Sequence, residues 1–445
     1  MFPEQIIGTE SSNWLFHPSF PKHWRKKHLY PLAKWVNGLP FRDSQFSSSG
    51  MPVIKIAEIK NGITGQTKFT NQTFDNKVLV KSGDMLFSWS GQPETSIGVF
   101  WWRGCDGWLN QHVFKITPNE ELDQKFFFYL LRDLKPNFVA IARNKQPTGL
   151  GHVTKGNLEE IVAAVPPLAE QKEIAASLGA LDDKIELNRQ MNATLEAMAH
   201  ALFQSWFVDF DPVRRNAEGG AKRPEDSRFP DSFEDSAIGG GPAGWKVMPL
   251  YETATYRNGA AFKTADFCPN GEGLPVVKIA ELKSGLSEQT KWSNKQLGSD
   301  QMIDTGDLLY SWSGSPDTSL DAFLWSNGPG LVNQHIFKVI TSSDAEKRFV
   351  YYLLKHLRPI LVETARDKQT TGLGHVTVAD MKRLQVCRPP KDVLAAFDRL
   401  IAPIFDKAFT NTLESQTLAT LRDTLLPRLL SGEFQPITVP NHRSI

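Results

Sequence analysis

The chain has 445 residues, 40% hydrophobic and 22% charged, which fits a soluble globular protein of roughly two to four domains and excludes a disordered, collagenous or wholly coiled-coil chain. Fifty basic against 49 acidic side chains leave a net charge of +1, so any nucleic-acid surface must be local. No apolar run reaches the ~18–20 residues of a membrane span, the start lacks a basic and then apolar leader, and Cys105, Cys268 and Cys387 never stand in Cys-x-x-Cys spacing, so a cytosolic chain with no disulfide framework, zinc site or membrane contact is expected.

In chain order, PKHW at Trp24 opens a first block in which VIKIAEI, KVLVKSGDMLFSWS and HVFKI read as strands, rich in β-branched and aromatic residues and punctuated by Gly, Asn and Asp. KFFFYLLRDL reads as a helix, apolar on one face and basic on the other. The Gly-rich run RNKQPTGLGHVT reads as a loop entering a closing strand, and Pro166-Pro167 ends the block.

Nearly everything in this block occurs twice. VIKIAEIKNGITGQTKFT from Val53 returns as VVKIAELKSGLSEQTKWS from Val276, with ten of eighteen positions identical at an offset of 223. SGDMLFSWSG from Ser82, NQHVFKI from Asn110 and RNKQPTGLGHVT from Arg143 keep the same offset to TGDLLYSWSG, NQHIFKV and RDKQTTGLGHVT. That period far exceeds the ~20–50 residues of a solenoid unit, so the repeat is of whole domains. The expected layout is an N-terminal domain over 1–167, a helix over 168–210, a linker over 211–244, a second domain over 245–390 opening at GPAGW, a second helix over 391–432 and a tail over 433–445. The fold class is α+β, a mixed α/β pattern within each copy.

Each helix carries a heptad seam. Ile174, Leu181, Asn188, Leu195 and Leu202 alternate with Leu178, Ile185, Asn192, Ala199 and Trp206, and Phe397, Ile404, Asn411, Leu418 and Leu425 alternate with Ile401, Ala408, Ser415, Arg422 and Leu429. Antiparallel pairing with positions summing to 603 sets Asn192 against Asn411 and Asn188 against Ser415. Ile174–Leu429, Leu178–Leu425, Ile185–Leu418, Leu202–Ile401 and Trp206–Phe397 then form apolar layers, and only Leu181 opposite Arg422 spoils the match. A central polar layer specifies register, because a slip would bury an amide against leucine. The alternative is two amphipathic helices, each covering its own domain. About 32 residues of paired helix at ~1.5 Å each make a rod of ~48 Å, which suits two reading heads on a bipartite, roughly inverted target.

The runs PPLAEQKEIAASLGALDDKIELNRQMN from Pro166, SWFVDFDPVR from Ser205, GPAGW and LATLRDTLLPRLLSGEF from Leu418 together resemble the specificity subunit of type I restriction-modification systems, over nearly the whole chain. The second helix departs from the pattern, with KDVLAAF at Lys391 where the first has LAEQKEI. The resemblance implies two target-recognition domains separated by an antiparallel two-helix coiled coil, and a non-catalytic chain that places two modification subunits and two restriction subunits on a split double-stranded DNA sequence. It implies no cofactor on this chain, with S-adenosylmethionine, ATP and Mg left to the partners.

The residues agree by omission, since neither an Asn/Asp-Pro-Pro-aromatic motif nor a G-x-x-x-x-G-K-[ST] phosphate loop is present. The competing readings are a self-contained methyltransferase or nuclease with unrecognised motifs and a bivalent scaffold for a non-nucleic ligand. For DNA contact, Arg143, Lys145, Arg366 and Lys368 suit phosphates and Gln146 and Gln369 suit base edges, with Thr148 and Thr371 beside them; the loops that carry them either read DNA or merely turn the chain. Trp89 and Trp312 stack on a base or pack in a core, beside Ser90, Gln92 and Ser313. Lys55, Lys60, Lys278 and Lys283 flank a Glu and form either a contact surface or a solvated strand face. His112 and His335 read as structural. The charged outer face of the helices, with Glu170, Lys172, Glu186, Arg189, Arg399 and Arg422, and the aromatic SWFVDF run are expected to dock a modification subunit or, for SWFVDF, to pack on the second domain.

Overall fold

The computed structural model describes residues 14–15, 20–144, 150–220, 223–237, 239–269, 271–369 and 373–434. The chain forms two compact units, residues 1–185 with 417–445, and residues 186–416.

In the first unit, an antiparallel sheet runs in the order Ala33–Asn37, Val113–Pro118, Met85–Ser88, Gly98–Trp101. A second sheet runs Phe69–Thr70, Met51–Ile54, Gly107–Leu109, Leu79–Val80, with its middle pair parallel. The helices are α1 (Ile56–Asn61), α2 (Pro93–Ser96), α3 (Gln124–Asp133), α4 (Lys135–Asn144) and α5 (Lys155–Glu160), followed by the closing strand Ile161–Val165 and the long α6 (Leu168–Phe207). VIKIAEI is therefore not one strand. The buried Glu58 carboxylate accepts the Lys55 backbone N–H at 3.1 Å, which caps α1 at its start, and Gly62, at φ +73°, ends it. The apolar IAEI pattern is shared between a strand end and one helical face, and the capping box decides for the helix.

The second unit contains α7 (Asp211–Ala217), α8 (Ile279–Ser284), α9 (Pro316–Ser319), α10 (Asp344–Arg366), α11 (Val378–Arg383) and most of α12 (Lys391–Leu430). Its central strands repeat those of the first unit at the 223 offset, Met85 pairing Ile116 as Leu308 pairs Val339, while the opening strand is offset by 221, Asn37 pairing Phe114 as Asn258 pairs Phe337. The segment 211–244, which lacks periodicity, carries α7 and a hairpin of Phe233–Ser236 with Gly239–Pro242. Val213 and Phe229 are buried in the second unit's core, and Arg215 holds the buried Asp226 at 2.6 Å.

The helices α6 and α12 run antiparallel and pack together. In the second unit, contacts fall along α12 as they rise along α6: Asn188 donates to Ser415 at 3.3 Å, Asn192 to Thr412 at 3.2 Å, and Trp206 meets Phe397 with ring centroids 6.0 Å apart. Asn411 donates to Asn192 at 2.9 Å, so the expected register stands. Asn188 and Asn411 are both fully buried, and Asn188 also donates to Glu414 at 2.8 Å.

In the first unit the mismatched layer is repaired by the next residue. Arg422 turns to Asp182, which also accepts the Tyr129 hydroxyl at 2.7 Å, while Arg132 reaches Asp423 at 3.2 Å. A guanidinium with these partners keeps its charge despite burial. Arg422 therefore belongs to the buried seam and not to a charged outer face.

Both ends of the helix pair are built into domain cores. Ile174, Ala175, Leu178, Leu426, Leu429 and Leu430 join Phe87, Phe126, Phe127 and Phe138 in the first unit. Phe203, Trp206, Phe207, Phe397 and Ile401 join Tyr310, Phe349 and Leu353 in the second. Each fully buried side chain of this size contributes ~1.5–3 kcal/mol, so each core is completed by the start of one long helix and the end of the other. The expectation that SWFVDF is exposed for a partner is corrected: Trp206 and Phe207 are buried against Phe229, Trp245, Phe349 and Phe397. An aromatic run at a helix end looks exposed only while the segment that covers it is out of view.

The PPLAEQ run has a local role. Glu170 accepts the Trp24 indole N–H at 2.9 Å and bonds His23, and buried Gln171 accepts the Asp123 N–H while donating to the carbonyls of Glu121 and Pro166. Glu170 thus also leaves the proposed outer face, because it ties the start of α6 to its own domain.

Candidate nucleic-acid interface

Two motifs far apart in sequence form one small ribbon in each domain. Ser90–Gly91 pairs antiparallel with Gly151–His152, and Ser313–Gly314 pairs with Gly374–His375. Glycine is required here. Gly91 and Gly314 have φ of +134° and +122°, and a Cβ on either would stand 2.7 Å from a serine Cβ, of Ser96 or Ser319.

The tryptophan before each ribbon is half-buried and fixed. The Trp89 indole N–H donates to Asn37 Oδ1 at 3.1 Å, and Trp312 does the same to Asn258 at 3.1 Å. Trp89 N bonds the His112 carbonyl at 3.2 Å and its own carbonyl takes Val153 N at 2.9 Å, with the same pair of bonds around Trp312. The Trp89 ring lies 5.6 Å from His112 in an edge-on contact, 5.9 Å from His152 and 6.0 Å from Phe114. Trp312 lies 5.6 Å from His335 and 5.7 Å from Phe337. Ser90 is buried, with Oγ 2.9 Å from His152 Nδ1.

Burial and, after it, the charge of His152 lower the pKa of His112; burial and His375 do the same to His335. Both imidazoles are therefore held toward the neutral form, with His335 Nδ1 buried and its Nε2 3.2 Å from Gln334 Nε2. The first domain thus holds a Trp-His-His-Ser-Asn cluster, and the second repeats its Trp312, His335 and Asn258, with His375 opposite Ser313 in the ribbon.

Each domain carries an arginine at the end of the helix that packs on the short helix after the ribbon's first strand. Arg143, at the end of α4, donates to Glu94 of α2 at 2.6 Å, and this hydrogen bond holds the Glu94 carboxyl below its ordinary range. Arg366 at the end of α10 pairs with Asp317 of α9 and with Glu363 at 2.9 Å. These pairs lie on the surface, where an ion pair is worth ~0–1 kcal/mol, so neither guanidinium is strongly committed to its carboxylate. Lys368 is held more firmly. It bonds Asp380, which also accepts the Thr377 N–H and hydroxyl; burial opposes the charge, but the Lys368 and Thr377 bonds bring the Asp380 pKa down to about 2.

Lys55 and Lys278 lie over the Phe46 and Phe267 rings at 5.2 and 5.3 Å. They precede α1 and α8 and do not lie on a solvated strand face. Lys60, Lys283, Gln92 and Gln369 are exposed. Lys145, Gln146, Thr148 and Thr371 lie outside the described residues. The structure thus brings Trp89, Ser90 and Gln92 beside Arg143 through the α2–α4 contact, and Trp312 and Ser313 beside Arg366 through α9.

Sequence reasoning missed Asn37, Asn258, His152, His375, Glu94 and Asp317. Their signal was available: Asn-Gly recurs at 37–38 and 258–259, and each histidine sits inside the repeated GLGHVT. Among the described residues, no group of three or more His, Cys, Asp or Glu is placed to hold a metal ion, and no helix is long and apolar enough to cross a membrane.

The family model for the type I restriction modification DNA specificity domain matches the chain twice, over residues 21–197 and 242–422. The HindI type I restriction enzyme specificity subunit of Haemophilus influenzae is 26% identical over 407 residues, covering 80% of this chain and 88% of that one. The MjaIX specificity subunit of Methanocaldococcus jannaschii is 24% identical over 330 residues, covering 73% and 72%. Among solved structures, the type I restriction-modification S subunit from M. genitalium has a similar fold, with a TM-score of 0.51 at 14% identity, covering 94% of this chain and 99% of that one. With both copies of the repeat matched from the first strand into the long helix that follows, the chain belongs to the type I restriction-modification specificity subunit family.

Proposed function

We propose that this chain recognises a split DNA sequence for a type I restriction-modification complex, each domain reading one half and the whole positioning modification and restriction subunits. The observation that carries the reading is the duplicated ribbon, with a fixed tryptophan, a histidine packed on its ring (His112, His335) and a flanking arginine at equivalent positions in both domains. Neutral donors and acceptors suit base edges, and exchangeable arginines suit phosphates. Similar heads read similar words, and the antiparallel pairing of the helices that follow them supports halves that are inverted or nearly so. Differences between the halves then trace to Gly65/Glu288, Gln92/Ser315, Asn144/Asp367 and Pro147/Thr370.

The chain acts without catalysis of its own: no methyltransferase or phosphate-loop motif is present, and S-adenosylmethionine, ATP and Mg serve the partners. Its partners are double-stranded DNA, two modification subunits and two restriction subunits, in the cytoplasm. Selection of bound duplexes from a randomised pool by the purified chain tests this reading. It predicts enrichment of two short words at a fixed gap, with no S-adenosylmethionine bound by the isolated chain. Enrichment of one uninterrupted word, or cofactor binding by this chain alone, contradicts it.

A further inference from the structure

The two domains repeat each other closely, yet Gly98 of the first is replaced by Asp321 in the second. In the first domain Lys60 ends α1 and Lys135 begins α4. Both are exposed, and among the described residues neither makes an ion pair. Burial first and then the charge of Lys135 lower the pKa of Lys60, and burial first and then the charge of Arg132 lower that of Lys135. Gly98 opens the adjacent strand opposite Ser88, and a Cβ built there would lie 3.9 Å from Lys135 Cδ.

In the second domain Asp321 takes that place, opposite Ser311 in the same register. Its carboxylate holds Lys355 at 3.0 Å and Arg358 at 3.8 Å. Arg358, the counterpart of Lys135, is further occupied by the carbonyls of Leu320, at 2.9 Å, and Asp317. Lys283, the counterpart of Lys60, is left beside a neutralised partner. Lys355 stands where the first domain has Arg132, which is itself engaged by Asp182 and Asp423. One domain therefore offers two uncommitted ammonium groups and the other an internally satisfied network.

We propose that Lys60 and Lys135 form a binding site for a DNA backbone phosphate in the first domain, and that Asp321 removes its counterpart from the second, so that the two domains grip their half-sites unequally. This rests on the DNA-reading function. Each phosphate neutralised contributes about 0.9 to the slope of log affinity against log salt.

The test is salt-dependent binding of the full chain to a duplex bearing its own selected target. K60Q/K135Q is expected to lower the slope by about 1–2, K60R/K135R to retain it, K283Q to leave it at the wild-type value and D321N to raise it by up to about 1. A wild-type slope in K60Q/K135Q, or an equal loss in K283Q, overturns the site while leaving DNA recognition intact. Failure of the wild-type chain to bind any duplex overturns the underlying reading instead.

Discussion

Asn411 donates its side-chain amide to Asn192 Oδ1 at 2.9 Å, midway along two 40-residue helices that run in opposite directions. Two amides meeting midway in a seam that is largely apolar on either side make register a matter of hydrogen bonding, and a shift of either helix would set these amides against carbon. N411L removes the donor and leaves a partly buried acceptor, so it should cost about 1–3 kcal/mol. N192L/N411L should recover most of that loss. Urea unfolding followed by helical circular dichroism separates the two, and equal midpoints for the single and double variants would contradict a specific amide pair.

Trp206 joins α6 to the second domain through Phe229 and Phe397. W206A should destabilise that unit by about 3–5 kcal/mol, the range for a large aromatic removed from a core. Limited proteolysis should then cut the second domain well before the first. If W206A abolished assembly with modification subunits while leaving proteolysis unchanged, Trp206 would be a docking residue and its burial here misleading.

Asp380 and Asn157 occupy the same position in the two domains, each next to the threonine that caps its helix. Asp380 has a depressed pKa, so its stabilisation is fully present above the ordinary aspartate range and is lost as pH falls through about 2. D380N should lower stability by about 1–3 kcal/mol at pH 6. Measured against wild type, the difference should be flat above pH 5 and shrink from pH 4 downward. A difference that grows on acidification would contradict the Lys368–Asp380 pairing.

Arg143 is exposed and exchangeable with Glu94. R143Q should lower the salt slope of DNA binding by about 1 and weaken all sequences alike, whereas E94Q should strengthen binding by freeing the guanidinium. Quantitative anisotropy titration at several salt concentrations reads both. A change of sequence preference in R143Q would move Arg143 from phosphate to base contact.

The repeat made most of the fold legible. A constant offset over more than a hundred residues fixes equivalent cores, and the heptad seam with its Asn residues fixes the partner and register of α6 before any coordinates. The sequence was less informative where long-range contacts decide. Glu58 turned an apparent strand into a helix through a capping bond, and the mismatch of Arg422 in the seam is resolved by Asp182, itself bonded by Tyr129 from elsewhere in the chain. Phe229 and Trp245 cover the aromatic end of α6 in three dimensions, which no local pattern announces. For the candidate interface, Trp89, Ser90 and Arg143 were visible as repeated motifs. Their fixing partners, Asn37, His152 and Glu94, needed the ribbon pairing that brings residues 90 and 152 together.

Methylated-base sequencing of the genome of a strain carrying this chain, set against the same strain with it deleted, bears most directly on the recognition function. The account predicts that deletion erases methylation at one split motif whose halves are similar and inverted. Methylation unchanged by deletion, or lost from a single continuous motif, would contradict it.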